Sequence, residues 1–160
     1  MPSTLLVFCA VLGSGFGLSE PAAKNACSWV PEVVVQANNN NIEPSLLLSV
    51  MMVESAFRPR VVSSAGACGL TQVVPRWTGG PETKYKKYTC EQLKNPKTAI
   101  RVGAQILSYN IRVYGKGNVD KGLCFYNAGT VCLRKPNFYR KLYYVKLVKR
   151  YKRVVDDEGC

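Results

Sequence analysis

The segment from Glu43 to Ser55, EPSLLLSVMMVES, is almost wholly apolar and contains one acid near its end, Glu54. Glu43 and Pro44 are typical of a helix start, because proline fits the first turn and an acid interacts favourably with the positive end of the helix dipole. A helix that is apolar on all sides has to be buried. The segment therefore predicts a central helix in a globular core, with Glu54 in its last turn.

The position of Glu54 is unfavourable for a charged carboxylate. Leu, Val and Met neighbours exclude water, and the negative end of the helix dipole repels an anion, so both effects raise the pKa of the carboxyl group. An acid that keeps its proton near neutral pH can donate it to a leaving group. The ordinary alternative is a glutamate that turns to solvent at the end of its helix.

No other acid lies between Glu54 and Glu82. The remaining acids mostly occur at predicted helix starts or in the C-terminal tail, where capping or solvation explains them. Cleavage of a glycosidic bond normally uses two carboxylates, one as the acid and one as the nucleophile or base. If Glu54 acts alone, the substrate has to supply its own nucleophile, as a sugar that cyclises on itself would.

The composition and net charge indicate a globular domain and the kind of binding partner to expect. A chain of 160 residues that is 47% hydrophobic is long and apolar enough for one globular domain. Its net charge of +12 favours an anionic partner, such as nucleic acid, a membrane surface or a bacterial envelope, although a basic surface also serves solubility. We expect no specific nucleic-acid binding, because no known motif or interleaved basic and aromatic surface accompanies the charge.

The chain contains no histidine and no CxxC pair. The usual Ser-His and Cys-His nucleophiles are therefore excluded, and neither a metal site nor a cofactor is expected. Seven cysteines favour an oxidising compartment. Residues 1–26 contain an apolar run that suits a secretory signal or a short N-terminal hydrophobic segment, and residues 27–160 form the predicted domain. If Cys9 leaves with a signal, six cysteines can pair in fifteen ways.

The rest of the chain predicts a mostly helical protein. Asn38 to Asn41 indicate a helix end and a turn, and the Gly-, Ser- and Pro-containing stretch from Arg58 to Gly80 indicates a long irregular loop of the kind that is usually functional. A helical face near Ile100 ends at Gly115. Asn118 and Gly129 then delimit a shorter helix, and residues 137–155 predict one last helix with a cationic face.

Four segments, in order, resemble the soluble-lytic-transglycosylase (SLT) domain family. They are ESAFRPRVVSSAGACGLTQVVP, NPKTAIRVGAQIL, FYNAG and YYVKLVKRY, and together they extend from about Ile42 to Tyr151. The resemblance implies an α+β, mostly helical, lysozyme-like single domain with a substrate groove. It also implies cleavage of the MurNAc-β-1,4-GlcNAc bond of peptidoglycan, in which the muramyl 6-hydroxyl attacks its own anomeric carbon and leaves a 1,6-anhydro end.

Carried over by position, Glu54 is the catalytic acid and then the base. Ser55 is expected to orient the carboxyl group or a sugar substituent, and Gln72 to line the groove. Thr71 stands where the family usually has Met, which implies a changed contact with the sugar. Cys68 lies in the same loop, where a disulfide, for example to Cys90, would pin it.

The later segments add three more expected substrate-binding residues. Tyr126 is expected to form a hydrogen bond near Glu54, although core packing also explains a tyrosine there. Asn127 is expected to hold the loop or the sugar, and Tyr144 belongs to the closing segment. Phe125 replaces the small residue that usually precedes Tyr-Asn.

The resemblance implies peptidoglycan glycan strands as the partner and a periplasmic, secreted or phage virion-associated location. The biological setting stays open between a secreted enzyme that opens the wall for an envelope-spanning secretion or conjugation apparatus and an enzyme among phage virion proteins. The alternative function is a non-catalytic, peptidoglycan-binding structural component that kept the groove. Retention of Glu54 argues against that alternative, because a protein that only binds gains nothing from an awkwardly placed acid.

Overall fold

The computed structural model describes residues 2–135 and 137–158. Within these residues the α-helices are α1 (Pro2–Ser14), α2 (Glu20–Cys27), α3 (Val30–Asn39), α4 (Pro44–Ser55), α5 (Cys90–Leu93), α6 (Pro96–Tyr109), α7 (Val119–Ala128), α8 (Val131–Arg134), α9 (Phe138–Lys141) and α10 (Tyr143–Glu158). Short 3-10 turns occur at Pro75–Trp77 and Pro81–Thr83, and a π-helical turn at Asn110–Tyr114 continues α6.

Helix α4 lies at the centre of the core, as its apolar sequence predicts. Its Leu47, Leu48 and Met51 side chains are fully buried, and α10 and α3 pack against it. The helix ends after Ser55, because Ala56 and Phe57 both adopt the left-handed conformation, with φ of 47° and 57°. Glu54 is thereby held in the last turn of a rigid, buried element.

The described residues are mostly helical and contain no β-strand. Extended pairing is limited to two isolated bridges, Val62 with Cys68 and Cys68 with Val73. These bridges fold the predicted loop back on itself without building a sheet. The α+β part of the expected fold class is therefore not confirmed, whereas the helical part is.

The loop from Arg58 to Gly80 is irregular, as its composition indicates, and it is fixed to α5. Cys68 forms a disulfide with Cys90, the pairing given above as an example for this departure from the family pattern. Gly69 adopts a φ of 78°, and a side chain there would lie 1.9 Å from the carbonyl oxygen of Leu93. Only glycine allows this approach, which brings the loop against the C-terminal end of α5.

The N-terminal segment packs onto the same core. Val11 and Leu12 of α1 are buried, and a disulfide joins Cys9 to Cys27. Cys9, which the sequence expectation removes with a signal, is thus paired in this structure. Among the described residues, no helix combines the length and apolar character needed to cross a bilayer. Cleavage of residues 1–26 stays a prediction.

The sequence predicts one helix over residues 137–155, but the structure has two helices there, α9 and α10. Leu142 is extended, with φ of −66° and ψ of 119°, and it separates α9 from α10. The break leaves Tyr144 in the first turn of α10, where it is buried and faces the end of α4. A third disulfide, Cys124–Cys132, joins α7 to α8.

Candidate active site

Glu54 and Tyr144 form the centre of the candidate site. The Tyr144 hydroxyl donates a hydrogen bond of 2.7 Å to Oε1 of Glu54. The two residues lie 90 positions apart in sequence, and the packing of α10 on α4 brings them together. The acid predicted from sequence therefore has a defined hydrogen-bond donor.

Burial raises the pKa of Glu54 from its ordinary value of 4.5 to about 7. The cause is desolvation, since the charged form loses its water, and the hydrogen bond from Tyr144 opposes this effect by stabilising the carboxylate. Within the described part of the chain, none of the Lys or Arg side chains forms an ion pair with Glu54. The geometry thus keeps a large protonated fraction at neutral pH.

Tyr126 approaches the same centre from α7. Its hydroxyl donates a 2.7 Å hydrogen bond to the backbone carbonyl oxygen of Thr71. Burial, and then the charge of Glu54, raise the pKa values of Tyr126 and Tyr144 above their ordinary range, so both hydroxyls stay protonated. The tyrosine that bonds the acid is therefore Tyr144, whereas Tyr126 is bonded to the loop.

Ser55 is turned into the protein at the end of α4. Its side chain is buried, and its hydroxyl donates to the Leu70 carbonyl oxygen at 2.8 Å and lies 3.2 Å from that of Met51. The expectation that Ser55 orients the carboxyl group or a sugar is replaced by a different geometry, because its hydroxyl bonds the loop backbone. It fixes the end of α4 to the segment that carries Thr71.

Thr71 also points away from solvent. Its side chain is fully buried, and its hydroxyl donates a 2.8 Å hydrogen bond to the carbonyl oxygen of Ala99 in α6. The contact is possible because Gly103 has no side chain: a Cβ there would lie 2.5 Å from the Cβ of Thr71. The expected sugar contact is therefore not made by this side chain, since the loop turns it into the core.

Gln72 and Asn127 line an open cavity of about 590 Å³, together with Tyr126. Gln72 adopts a φ of 49°, and its Nε2 donates to the carbonyl oxygens of Val61 and Gly69 at 3.1 and 3.0 Å. With both amide hydrogens used, its Oε1 is the atom left to accept from a ligand. Asn127 is exposed on the rim.

The same cavity is also lined by Trp77, Glu82 and Asn110, which sequence reasoning did not select. A tryptophan in a Gly- and Pro-rich loop is a signal that could have identified Trp77. Asn110 interrupts an apolar stretch, yet only its place in the π-helical turn shows that it faces the cavity. A volume of this size lies within the range of small-ligand sites.

A model of the family described as the transglycosylase SLT domain matches residues 33–143. Membrane-bound lytic murein transglycosylase C of Actinobacillus pleuropneumoniae serotype 5b is 54% identical over 54 residues, which cover 34% of this chain and 15% of the relative. Endo-type membrane-bound lytic murein transglycosylase A of Klebsiella pneumoniae subsp. pneumoniae is 31% identical over 114 residues, 65% of this chain and 56% of the relative. The chain thus spans about 15% and 56% of the lengths of these two relatives.

Solved structures show the same fold. An inactive mutant of the lytic transglycosylase Slt from Pseudomonas aeruginosa superposes with a TM-score of 0.66 at 23% identity, covering 79% of this chain and 24% of the larger protein. The 70 kDa soluble lytic transglycosylase of Escherichia coli gives the same score and coverage at 24% identity. The range that the family model matches contains Glu54, the loop with Gln72 and the Tyr126-Asn127 pair. This match shows that the chain belongs to the transglycosylase SLT domain family.

Proposed function

We propose that this protein is a peptidoglycan lytic transglycosylase that cleaves the MurNAc-β-1,4-GlcNAc bond and leaves 1,6-anhydro-MurNAc ends. The observation that carries the proposal is Glu54, a half-buried acid with a pKa raised to about 7, placed within the SLT family signature. The two similar proteins described above are lytic murein transglycosylases by name, which supports the same chemistry here.

The first step is protonation of the bridging oxygen. Glu54 transfers its proton to the glycosidic oxygen, the bond from that oxygen to the muramyl anomeric carbon breaks, and the electron pair stays on the leaving oxygen. The carboxylate that results is stabilised by the 2.7 Å hydrogen bond from Tyr144. Charge on Glu54 is thus tolerated when the reaction creates it, although burial disfavours it beforehand.

The second step closes the anhydro ring. The muramyl 6-hydroxyl oxygen attacks the anomeric carbon, and its proton passes to the Glu54 carboxylate, which restores the acid. No water is consumed and no second carboxylate is needed. A mechanism with one carboxylate agrees with the surroundings of Glu54. Within the described residues its carboxyl group is hydrogen-bonded by Tyr144 and not by another acid.

The glycan strand is proposed to lie in a groove formed by the cavity next to Tyr126, with Gln72 and Asn127 on its walls. Gln72 then offers its amide oxygen to a sugar hydroxyl or amide. In this arrangement Ser55 and Thr71 act behind the substrate, by holding the loop to α4 and α6. Tyr144 contacts the acid rather than the sugar.

An oxidising, extracytoplasmic setting is proposed for the reaction. Three disulfides connect parts of the described fold, including the loop that carries Gln72. They agree with a periplasmic or secreted enzyme that opens the wall locally. A partnership with a secretion or conjugation apparatus, or with phage virion proteins, stays a prediction from the resemblance.

The decisive experiment is digestion of purified peptidoglycan with wild type and Glu54→Gln, followed by mass spectrometry of the products. Wild type is expected to release anhydro-muramyl ends, and Glu54→Gln to lower their yield about a thousandfold. Glu91→Gln is the matched control, because Glu91 is an exposed glutamate in α5 and should leave the yield unchanged.

Two outcomes would contradict the proposal. Hydrated reducing ends would show that water is the nucleophile and make the protein a hydrolase. No cleavage by folded wild type, with binding to the wall retained, would favour the non-catalytic peptidoglycan-binding component.

A further inference from the structure

Positive charge is concentrated near the end of the chain. Residues 134–153 contain nine of the 22 Lys and Arg residues and no acid, whereas residues 156–158 are all acidic. The nine cations extend from the last residue of α8 through α9 into α10. Basic residues that serve solubility alone need no such concentration, so the distribution favours a surface for an anionic partner.

Two lysines of α10 are used within the protein. Lys152 is half-buried and forms ion pairs with Glu43, directly before α4, and with Asp156. Lys149 forms an ion pair of 2.8 Å with Asp120 in α7. These two lysines are therefore explained by the contacts of α10 with its neighbouring helices and within itself.

Three other cations of α10 form no ion pair in the described structure. Lys146, Arg150 and Arg153 are exposed, and none of the ion pairs within residues 2–135 and 137–158 includes them. They are spaced four and three residues apart, so they form one row along the helix. This row, about 10 Å long, is called the cationic face of α10 below.

The cationic face points away from the candidate active site. The buried side chains of α10 are Tyr144, Val145, Val148 and Val155. Since an α-helix has 3.6 residues per turn, the cationic face lies roughly opposite these side chains around the helix axis. Tyr144, which bonds Glu54, is on the buried side. In the described part of the chain, no cation of the face lines the cavity beside Tyr126. A partner on this face would therefore leave that cavity accessible.

The shape of the face narrows the kind of partner. A single strand of nucleic acid is usually held in a positively charged groove. The three cations instead project from the outer side of one packed helix and do not line the cavity. The surface of an anionic bilayer is a wide array of phosphate groups that all three long side chains can reach together.

We propose that the cationic face of α10 binds the protein to the surface of a membrane that contains anionic phospholipids. Lys146, Arg150 and Arg153 contact the lipid phosphate groups, while α10 stays packed on α4 and does not enter the hydrocarbon. The attraction is reversible, because each cation near such a surface raises the affinity only about fivefold. Binding needs no cleavage, so it does not rest on the proposed function.

Binding is measured on the full chain by co-sedimentation with vesicles at about 0.1 M salt. We expect wild type to sediment with vesicles of equal parts phosphatidylglycerol and phosphatidylcholine, and to stay in solution with vesicles of phosphatidylcholine alone. Glu54→Gln should bind as wild type does, because Glu54 lies on the other side of α10. Raising the salt to about 1 M shortens the Debye length to about 3 Å, which should weaken binding of wild type about tenfold.

The helix variant combines Lys146→Gln, Arg150→Gln and Arg153→Gln. It should bind the anionic vesicles about a hundredfold more weakly than wild type, since three cations are removed together. The charge-keeping variant combines Lys146→Arg, Arg150→Lys and Arg153→Lys, and it should bind within about twofold of wild type. Circular dichroism of each variant checks that the helices are retained, and the salt dependence of wild type tests the proposal without any substitution.

The matched control is a loop variant with Lys84→Gln, Lys86→Gln and Lys87→Gln. It removes the same number of positive charges from three exposed lysines that lie outside α10. If α10 is the contact surface, this variant should bind within about threefold of wild type, since charges distant from the bilayer are screened.

Four results would overturn the proposal. They are no binding of wild type to the anionic vesicles, binding that persists in high salt, equal loss in the helix and loop variants, and equal binding to both kinds of vesicle. Tighter binding to a DNA duplex than to the anionic vesicles, lost in the helix variant, would make nucleic acid the partner instead. Failure of the proposed function would appear separately, as missing anhydro-muramyl ends with vesicle binding intact.

Discussion

Glu54 and Glu91 are the same residue type in two opposite environments. Glu91 is exposed on α5, where Lys94 at 3.1 Å and Arg60 at 3.5 Å lower the pKa of its carboxyl group. Glu54 is half-buried at the end of α4, where desolvation raises its pKa to about 7. Glu43, Asp120 and Asp156 resemble Glu91, since each forms an ion pair with a lysine.

The difference shows what a strongly basic chain has to avoid at such a site. A cation beside Glu54 would stabilise the carboxylate and remove the proton that the reaction needs. The fold instead gives Glu54 a neutral donor, the Tyr144 hydroxyl. The ion pairs formed by lysine and arginine therefore lie elsewhere in the described chain, and burial sets the pKa of Glu54.

Among the effects that test this contrast between the two glutamates, the largest is expected on the pH dependence of cleavage. Because the active form of Glu54 is protonated and its pKa is about 7, kcat/KM should fall about tenfold per pH unit at higher pH, or roughly a hundredfold by two units above the pKa. The measurement is the initial rate of release of anhydro-muramyl ends between pH 5 and pH 9. A rate that stays constant across pH 7 would place the acid elsewhere.

A smaller effect is expected on stability. The folded-state pKa of Glu54 lies above the ordinary value of 4.5, so the folded state binds the proton more tightly, and this contribution is lost as pH rises from about 4.5 to about 7. Allowing for partial exposure, wild type should lose about 2 kcal/mol of unfolding free energy relative to Glu54→Gln over this window. Urea denaturation of both proteins at pH 4.5 and 8 measures it, and a constant difference would contradict burial as the cause.

Tyr144→Phe tests the opposing hydrogen bond. Loss of the hydroxyl removes the interaction that lowers the pKa of Glu54, so the alkaline limb of the pH profile should move upward. The carboxylate formed during the reaction is also less stabilised, which should lower kcat about tenfold. Tyr143→Phe is the matched control, because Tyr143 is 73% exposed. A lower rate with an unchanged pH profile would indicate a merely structural role.

Glu91→Gln should have the smallest effect. Its partners and its own carboxyl group are accessible to water, and exposed ion pairs contribute little to stability. Cleavage rate and its pH dependence should match wild type, and thermal unfolding should change little. A changed pH profile would mean that the surface charges affect the pKa of Glu54. The contrast between the two glutamates would then not hold.

Much of the helical framework could be predicted from local patterns. The apolar run that ends in Glu54, the helix start at Asn118 and the loop after Arg58 all occur where the sequence indicates. In each case the signal is local: an unbroken apolar stretch, a capping side chain, or a concentration of Gly, Ser and Pro. The π-helical turn at Asn110 and the break at Leu142 have no such signal, because neighbouring apolar spacing continues through them.

The sequence indicated which residues lie near one another better than it indicated where their side chains point. Gln72, Tyr126 and Asn127 line one cavity, and Tyr144 contacts Glu54, whereas Ser55 and Thr71 turn inward. Their orientation depends on contacts distant in sequence. Thr71 reaches Ala99 only because Gly103 leaves room, and no local pattern reports such a space.

The hydrogen bond from Ser55 to Leu70 also has a consequence for motion. The Ser55 hydroxyl, at the end of α4, donates to the Leu70 carbonyl oxygen in the loop. The Tyr126 hydroxyl, in α7, donates to the carbonyl oxygen of the next loop residue, Thr71. Three elements are thus linked through two consecutive residues. Amide hydrogens here should exchange with solvent as one cooperative unit, and an oligosaccharide bound to Gln72 should slow exchange as far away as the last turn of α4.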